Sequence, residues 1–254
     1  MKYSLLITAC IEPTLSTDNS ITRSDPKIRL NDYITAFRYW LSYKEDKITH
    51  IIFVENSEYD LTELKQIATS ENQYNRKIEF VQFAASPIPK GFHYGYSELE
   101  IIDKAFDLSK TILETDFFIK VTGRLYFPSL KKLLKRIAAS NLITIDFKDY
   151  KFFHIKKQYA VTTLIITRND FFLNNLYGIK SKMDDEHNSL FETIYYNFLQ
   201  PLSLTNKNIV TRFPINVNPV GIGAHWNIDY SSNKNKAYNF IRTVLKIVYP
   251  SFKI

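Results

Sequence analysis

Short apolar runs rich in β-branched residues alternate with segments of helical spacing from the N-terminus to Ile145. The runs fall at residues 3–11, 49–54, 78–83, 116–122 and 142–146. Each is short enough for a buried strand and bounded by polar or turn residues. Between the first two, Asp25-Pro26 offers a helix cap with proline at the first position. Leu30, Tyr33, Ile34, Phe37, Trp40 and Leu41 then recur at helical spacing, to about residue 43. Asp60 or Thr62 opens a second helix to about residue 70. Ser97 opens a third, with Glu98 and Glu100 in its first turn. A basic amphipathic helix is expected over 129–139. Strand and helix in alternation are the pattern of βαβ units on a mostly parallel sheet. Beyond it, residues 152–167 give one or two strands, Asp170 begins a short helix, and Asp184 or Asp185 caps a helix to about residue 199. There is no internal repeat and no clean linker.

Composition narrows the class. Hydrophobic residues at 45% and charged residues at 23% exclude a mainly disordered chain. Thirty-three Lys and Arg against 26 Asp and Glu leave a net charge of +7, which favours an anionic partner without choosing it. The single cysteine, Cys10, excludes an intramolecular disulfide or a cysteine-based zinc site and fits a reducing, cytoplasmic location. No run reaches the roughly 18 apolar residues that span a bilayer. Leu6-Ile7-Thr8-Ala9-Cys10 resembles a lipoprotein cleavage box, but too few apolar residues precede it for a signal segment, so it reads as a buried strand.

In open α/β sheets, ligands bind beyond the carboxyl ends of the parallel strands. That directs attention to residues 8–12, 55–57, 84–95 and 122–124. No G-x-G-x-x-G or G-x-x-x-x-G-K-[ST] follows a strand, and there is no G-x-S-x-G. The five histidines, at 50, 93, 154, 187 and 225, form no close ligand pair. The run Asp184-Asp185-Glu186-His187 could hold a cation or simply begin a helix.

The ordered set of segments resembles bacterial glycosyltransferases of the GT-A type that act in surface-polysaccharide pathways (capsule, O-antigen or lipooligosaccharide). The matching residues are Ile7-Thr8-Ala9-Cys10-Ile11, the stretch 25–33, residues 52–57, residues 89–98, residues 116–124, Phe191-Glu192 and residues 220–224. The resemblance implies an α/β, Rossmann-like GT-A domain over 1–230 with a mostly parallel central sheet, and the residues after it, 231–254, read as a basic amphipathic helix. It implies a nucleotide-sugar donor, with the nucleoside near Thr8, Ala9, Glu12, Glu55 and Asn56. Lys90, Gly91, Tyr94, Gly95 and Glu98 would border the donor. The Gly95 to Ser97 turn would present free N–H groups to phosphate; a glycine loop that merely caps a helix is the other reading of it.

One departure from the family matters. Many GT-A enzymes place Asp-x-Asp after the strand that here ends near Val121, and this chain has Thr122-Gly123-Arg124 there. A guanidinium can neutralise phosphate oxygens without metal. The expectation is therefore metal-independent transfer, with no cofactor required and Arg124 on the donor phosphate or the acceptor. Asp146-x-x-Asp149 is a weaker metal pair. An inverting reaction needs a general base; Glu192 is the first candidate, with Asp185 and Glu186 behind it. His225, in a late glycine loop, would contact phosphate, and Lys120 and Arg212 are further basic candidates.

Beyond Asp229 there are no acids, and Lys234, Lys236, Arg242, Lys246 and Lys253 carry five positive charges. Ala237, Ile241, Val244, Leu245 and Val248 share a helical face, with Asn235, Arg242 and Lys246 opposite. This is the pattern of an interfacial helix on anionic lipid, or of a terminal helix packed on the domain with its basic side in water. A glycan or lipid-linked acceptor at the inner membrane face would suit the first. The competing functions are a nucleotidyltransferase, which would want a glycine-rich basic signature after the first strand, and a non-enzymatic nucleic-acid binder. For the latter only Lys131, Lys132, Lys135 and Arg136 cluster, and no nucleic-acid partner is expected.

Overall fold

A computed structural model of the chain describes residues 1–13, 21–149, 158–184, 190–223 and 227–249. Strand β1 (Tyr3–Ala9) is buried along its whole length. It lies between β2 (Ile48–Glu55) and β4 (Phe117–Thr122), parallel to both, and β3 (Lys77–Gln82) extends the parallel set beyond β2. On the other flank β7 (Gln158–Arg168) runs antiparallel to β4 and to β6 (Ile143–Asp149), which in turn pairs with the short β8 (Ile209–Val210). The seven-stranded order is β3-β2-β1-β4-β7-β6-β8. The fold is α/β around this mostly parallel sheet. A small second sheet pairs β5 (Leu125–Tyr126) with β9 (Val220–Gly221).

Alternation along the strands divides the interior in two. Leu5 and Ile7 of β1 and Ile119 and Val121 of β4 join one apolar layer, with Tyr33, Phe37 and Trp40 of α1 (Pro26–Ser42), Leu64 of α2 (Thr62–Glu71) and Leu130 and Leu133 of α4 (Leu130–Leu134). Leu6 and Phe118 face the other layer, with Leu99 and Ile102 of α3 (Gly95–Leu108), Phe172 of α5 (Asn169–Asn175) and Phe191 and Leu199 of α6 (Phe191–Thr205). Successive side chains of a strand point to opposite faces, so each strand feeds both layers. Helix α1 starts as its sequence dictates: Asp25 Oδ1 accepts from the N–H groups of Lys27 (2.8 Å) and Ile28 (3.1 Å), with Pro26 next.

Several boundaries differ from expectation. Helix α3 begins at Gly95, not Ser97, and α4 is a short helix rather than one over 129–139. Helix α6 begins at Phe191; the expected caps lie at Asp184, before it, and at Asp185, outside the described residues. The last helix, α7 (Asn233–Val248), is capped by Ser232. Its basic side is not turned to water. Lys246, read as part of a solvated face, is buried against Asp146 of β6, with Nζ 3.0 and 3.1 Å from the two carboxylate oxygens. Asp146 also accepts from Lys148 Nζ (2.9 Å) and the Phe213 N–H (3.0 Å). Burial alone would raise its pKa, but the two lysines hold it below the usual carboxylate range. Its carboxylate is thus committed to the fold, and the metal reading of Asp146 and Asp149 has no support.

Candidate active site

A cavity of about 690 Å³ opens beyond the carboxyl ends of β1 and β4. The start of α3, the middle of β7 and the start of α6 complete its wall. Thr8, Ala9, Tyr94, Gly95, Glu98, Thr122, Arg124 and Glu192, all nominated from sequence, line it. Glu12, Glu55, Asn56, Lys90, Gly91 and Gly123 are not among its lining residues. Asp185, Glu186 and His225 lie outside the described residues.

One side-chain cluster centres on Lys120. Its position in β4 points it to the α3 and α6 face, where it is wholly buried. Nζ donates to Glu98 Oε1 (2.6 Å), the Thr162 carbonyl (2.6 Å) and Thr122 Oγ1 (3.2 Å). The same Glu98 oxygen accepts from Thr8 Oγ1 and Thr122 Oγ1, each at 3.1 Å. Burial works to raise the Glu98 pKa, but the Lys120 charge and these three donors hold it low, so Glu98 is ionised. Its second oxygen, Oε2, has no hydrogen bond among the described residues. Glu192 behaves in the opposite way. Burial, aided by the nearby Glu98 charge, raises its pKa despite the bond from Thr162 Oγ1 (3.2 Å). Two carboxylates line one cavity with pKa values pushed apart, the pattern that separates acid–base roles.

A second cluster gathers at Cys10, just past β1. Arg29 of α1 donates to its carbonyl through Nε (2.8 Å) and Nη2, and to the Arg23 carbonyl through Nη1 (3.0 Å). Tyr33 Oη accepts from the Cys10 N–H (2.9 Å) and donates to its carbonyl (3.2 Å). The Arg124 guanidinium stands 6.0 Å from the Tyr33 ring centre. Arg124 is 7% exposed; Nη1 donates to the Ile222 carbonyl (2.8 Å), and Nε is buried without a partner among the described residues. Among the described residues neither Arg29 nor Arg124 has a carboxylate in ion-pair range. Arg76, a buried arginine remote from the cavity, is different: four backbone carbonyls surround it. Arg124 is thus a buried cation, short of partners, on the wall of a cavity. Burial pushes the Cys10 thiol up to about 11, away from the thiolate form.

Several nominated residues are used by the fold. Glu55, wholly buried, accepts from the N–H groups of Ile11 (3.0 Å), Ser57 (3.0 Å) and Tyr59 (3.2 Å), holding the loops after β1 and β2. Asn56 Nδ2 donates to Ser97 Oγ (2.6 Å). Gly95 is glycine because a Cβ there would lie 2.7 Å from the Phe191 nitrogen, where α3 meets α6. A Cβ on Gly123 would lie 2.6 Å from the Thr8 carbonyl. Lys90 and Gly91 sit on an exposed turn, and Gly91 adopts a φ of 89°. Arg212 spends Nη2 on the Lys246 carbonyl (2.9 Å). Sequence reasoning gave no role to Arg29 or Tyr33. The signal was present: Arg29 falls on the same helical stripe as Tyr33 and Phe37, a charge on an apolar face.

No protein-family model matches this sequence, and no curated protein matches it. Solved structures resemble it in fold. The inositol-1-phosphate CTP transferase from T. maritima is 12% identical, with 97% of each chain covered and a TM-score of 0.45. Core-mannan synthase A from Aspergillus fumigatus, in an Mn/GDP form, is 12% identical over 78% of this chain and 69% of that one, with a TM-score of 0.46. The mannosyltransferase PcManGT from Pyrobaculum calidifontis, in complex with GDP-Man and Mn²⁺, is 11% identical over 80% of this chain and 52% of that one, with a TM-score of 0.42. Likeness at this level transfers no activity to this chain.

The expectation that no metal is required is corrected here: two of these similar structures carry manganese beside their nucleotides. Among the described residues no three His, Cys, Asp or Glu side chains converge to hold such an ion. The described cavity therefore does not by itself form a metal centre.

Proposed function

We propose that the chain is a glycosyltransferase that moves a sugar from a nucleotide-sugar donor to a hydroxyl of a glycan or lipid-linked acceptor, in bacterial surface-polysaccharide synthesis. The observation that carries this reading is Arg124. A buried guanidinium with an unpartnered Nε on a cavity wall calls for an anion, and phosphate oxygens match its fork. Arg29 adds a second positive charge beside it. Thr8 and Ala9, at the end of β1, flank the position of the nucleoside.

The two carboxylates take different parts. Glu98, ionised and held on one oxygen by Lys120, Thr8 and Thr122, offers Oε2 as an acceptor to donor hydroxyls. Glu192, whose pKa is raised, is the general base. In an inverting transfer the acceptor oxygen forms its bond to the anomeric carbon as the bond from that carbon to the phosphate oxygen breaks. The electron pair leaves with the phosphate, whose charge Arg124 and Arg29 stabilise, and the acceptor proton passes to Glu192.

The test is a thermal-shift screen of UDP, GDP, CMP, dTDP and their sugars, each with Mn²⁺ and with EDTA, followed by transfer assays on the responding donor. Binding to the native state raises its melting temperature by mass action. The reading expects one nucleotide family to stabilise the wild type and to do so far less in Arg124→Met. No shift from any nucleotide would overturn it. Turnover of a nucleoside triphosphate with a sugar phosphate would replace it with a nucleotidyltransferase.

A further inference from the structure

Helix α7 is docked the unusual way round. Its polar side holds it to the domain: Lys246 pairs with Asp146, Arg212 donates to the Lys246 carbonyl, and Asn216 Nδ2 donates to the Asn239 carbonyl (3.0 Å) and to Thr243 Oγ1 (3.0 Å). Its apolar side faces away from the domain. Ala237, Phe240, Ile241, Val244, Ile247 and Val248 form one stripe at offsets of three and four residues. Phe240 is 71% exposed, Ile247 73% and Val248 58%, with Tyr238 and Tyr249 exposed beside them. A terminal helix covering the core would show the reverse pattern. Exposed apolar stripes of this kind mark a surface that is covered in use.

We infer that the outward face of α7 lies on an anionic lipid surface, with the helix axis in the membrane plane. Two observations favour lipid over a second copy of the chain. First, the segment after Asp229 contains no acid, and apart from Lys246, which shares Asp146 with Lys148, it carries Lys234, Lys236, Lys253 and, on the side opposite the apolar stripe, Arg242. An apolar stripe combined with basic residues is the two-part signal of interfacial binding. Second, six side chains of one helix fall well short of the roughly 20–30 residues a side of a stable dimer. No described helix is long and apolar enough to cross a membrane. The inference does not depend on which reaction the cavity performs. Tyr230, just before α7, lines both that cavity and the groove beside Phe240, so the lipid face adjoins the site.

The experiment is flotation of the purified full chain with vesicles of phosphatidylcholine alone and of phosphatidylcholine with about one-third phosphatidylglycerol, at low and high salt. The wild type should float with the anionic vesicles, less at high salt and little with the neutral ones. Phe240→Ser and Ile247→Ser remove exposed side chains only, so the melting temperature should hold while the bound fraction falls about tenfold or more in the double variant. Lys234→Gln with Lys236→Gln serves as a second variant that leaves the apolar stripe intact and should weaken only the anionic binding. Failure of the wild type to float with anionic vesicles would overturn the inference. So would equal flotation of the double variant. A dimer by light scattering that dissociates in the Phe240→Ser, Ile247→Ser variant, without vesicle binding, would assign the face to a second copy instead.

Discussion

Lys120 Nζ lies 2.6 Å from Glu98 Oε1, and the lysine that makes this contact has no solvent exposure at all. The pair stands beneath the cavity and ties β4 to the first turn of α3. Lys120→Met keeps the length of the side chain and removes its charge, which leaves a largely desolvated carboxylate facing an apolar group. The expected cost at pH 7 is about 3 kcal/mol in a urea titration, at the low end for a broken buried pair because Glu98 borders the cavity. Glu98 has a folded pKa below its ordinary value of 4.5, so the stability it supplies is present above that value and is lost as pH falls through the lowered one. The difference between wild type and variant should narrow in acid. Glu98→Gln combined with Lys120→Met should restore part of the loss.

Glu192→Gln should lower the rate of transfer about 10²- to 10⁴-fold and leave nucleotide affinity unchanged. Because burial raises the Glu192 pKa, the acid limb of the kcat/KM profile should fall above the usual carboxylate range, with activity rising as the group ionises. Retained turnover in the variant would remove Glu192 from the reaction.

Arg124→Met should weaken nucleotide binding by about 10- to 100-fold, the size of one or two charge-assisted hydrogen bonds. Arg29→Met should weaken it too, and cost stability as well, since Arg29 bridges the Cys10 and Arg23 carbonyls. Isothermal titration with the responding nucleotide separates the two effects.

Asp146→Asn should destabilise the chain by about 3–5 kcal/mol, because it leaves Lys148 and Lys246 buried without a counter-charge. The loss should appear first in α7. Hydrogen exchange there should speed up more than in the parallel strands.

Asp103 gives a pH-dependent prediction of the opposite sign. Burial raises its carboxyl to about 6 against an ordinary 3.8, opposed by the Gly178 N–H and the Lys180 charge and aided by Asp107 and Glu100. A raised folded pKa makes the stability contribution complete below 3.8 and lost as pH climbs through about 6. Asp103→Asn should therefore stabilise the protein by about 2–3 kcal/mol at pH 8 and make little difference near pH 3.5, as thermal melts at both values would show.

The parallel half of the sheet was legible in the sequence because β1, β2 and β4 are buried on both faces, and apolar runs such as 51–54 have few other readings. The Asp25-Pro26 start of α1 was legible for a local reason, a cap with a fixed geometry. What lay beyond local reasoning were the long-range pairings. Glu55 ends a strand, where a ligand residue is expected, yet its carboxylate closes on backbone N–H groups of two loops. Gly95 read as the glycine of a phosphate-binding turn or of a helix-capping loop, but it makes room for Phe191, as Gly123 does for the Thr8 carbonyl. Lys246 read as a surface charge, and its partner sits a hundred residues away in β6. Periodicity gives the two faces of a helix; it does not say which face the tertiary structure takes. Arg29 was visible only as an exception, a charge on an apolar stripe, and such exceptions are where function and pattern part company.

Arg29 and Arg124 line one cavity, and among the described residues neither has a carboxylate in ion-pair range, so the proposed phosphate site is positively charged before a ligand arrives. On the proposed reading, part of the affinity for a phosphate-bearing ligand would come from neutralising those two charges. Small multivalent anions should mimic that neutralisation: sulfate or phosphate ought to firm up the cavity wall before any substrate arrives, and competing anions in the medium would set a threshold concentration that the true ligand must exceed.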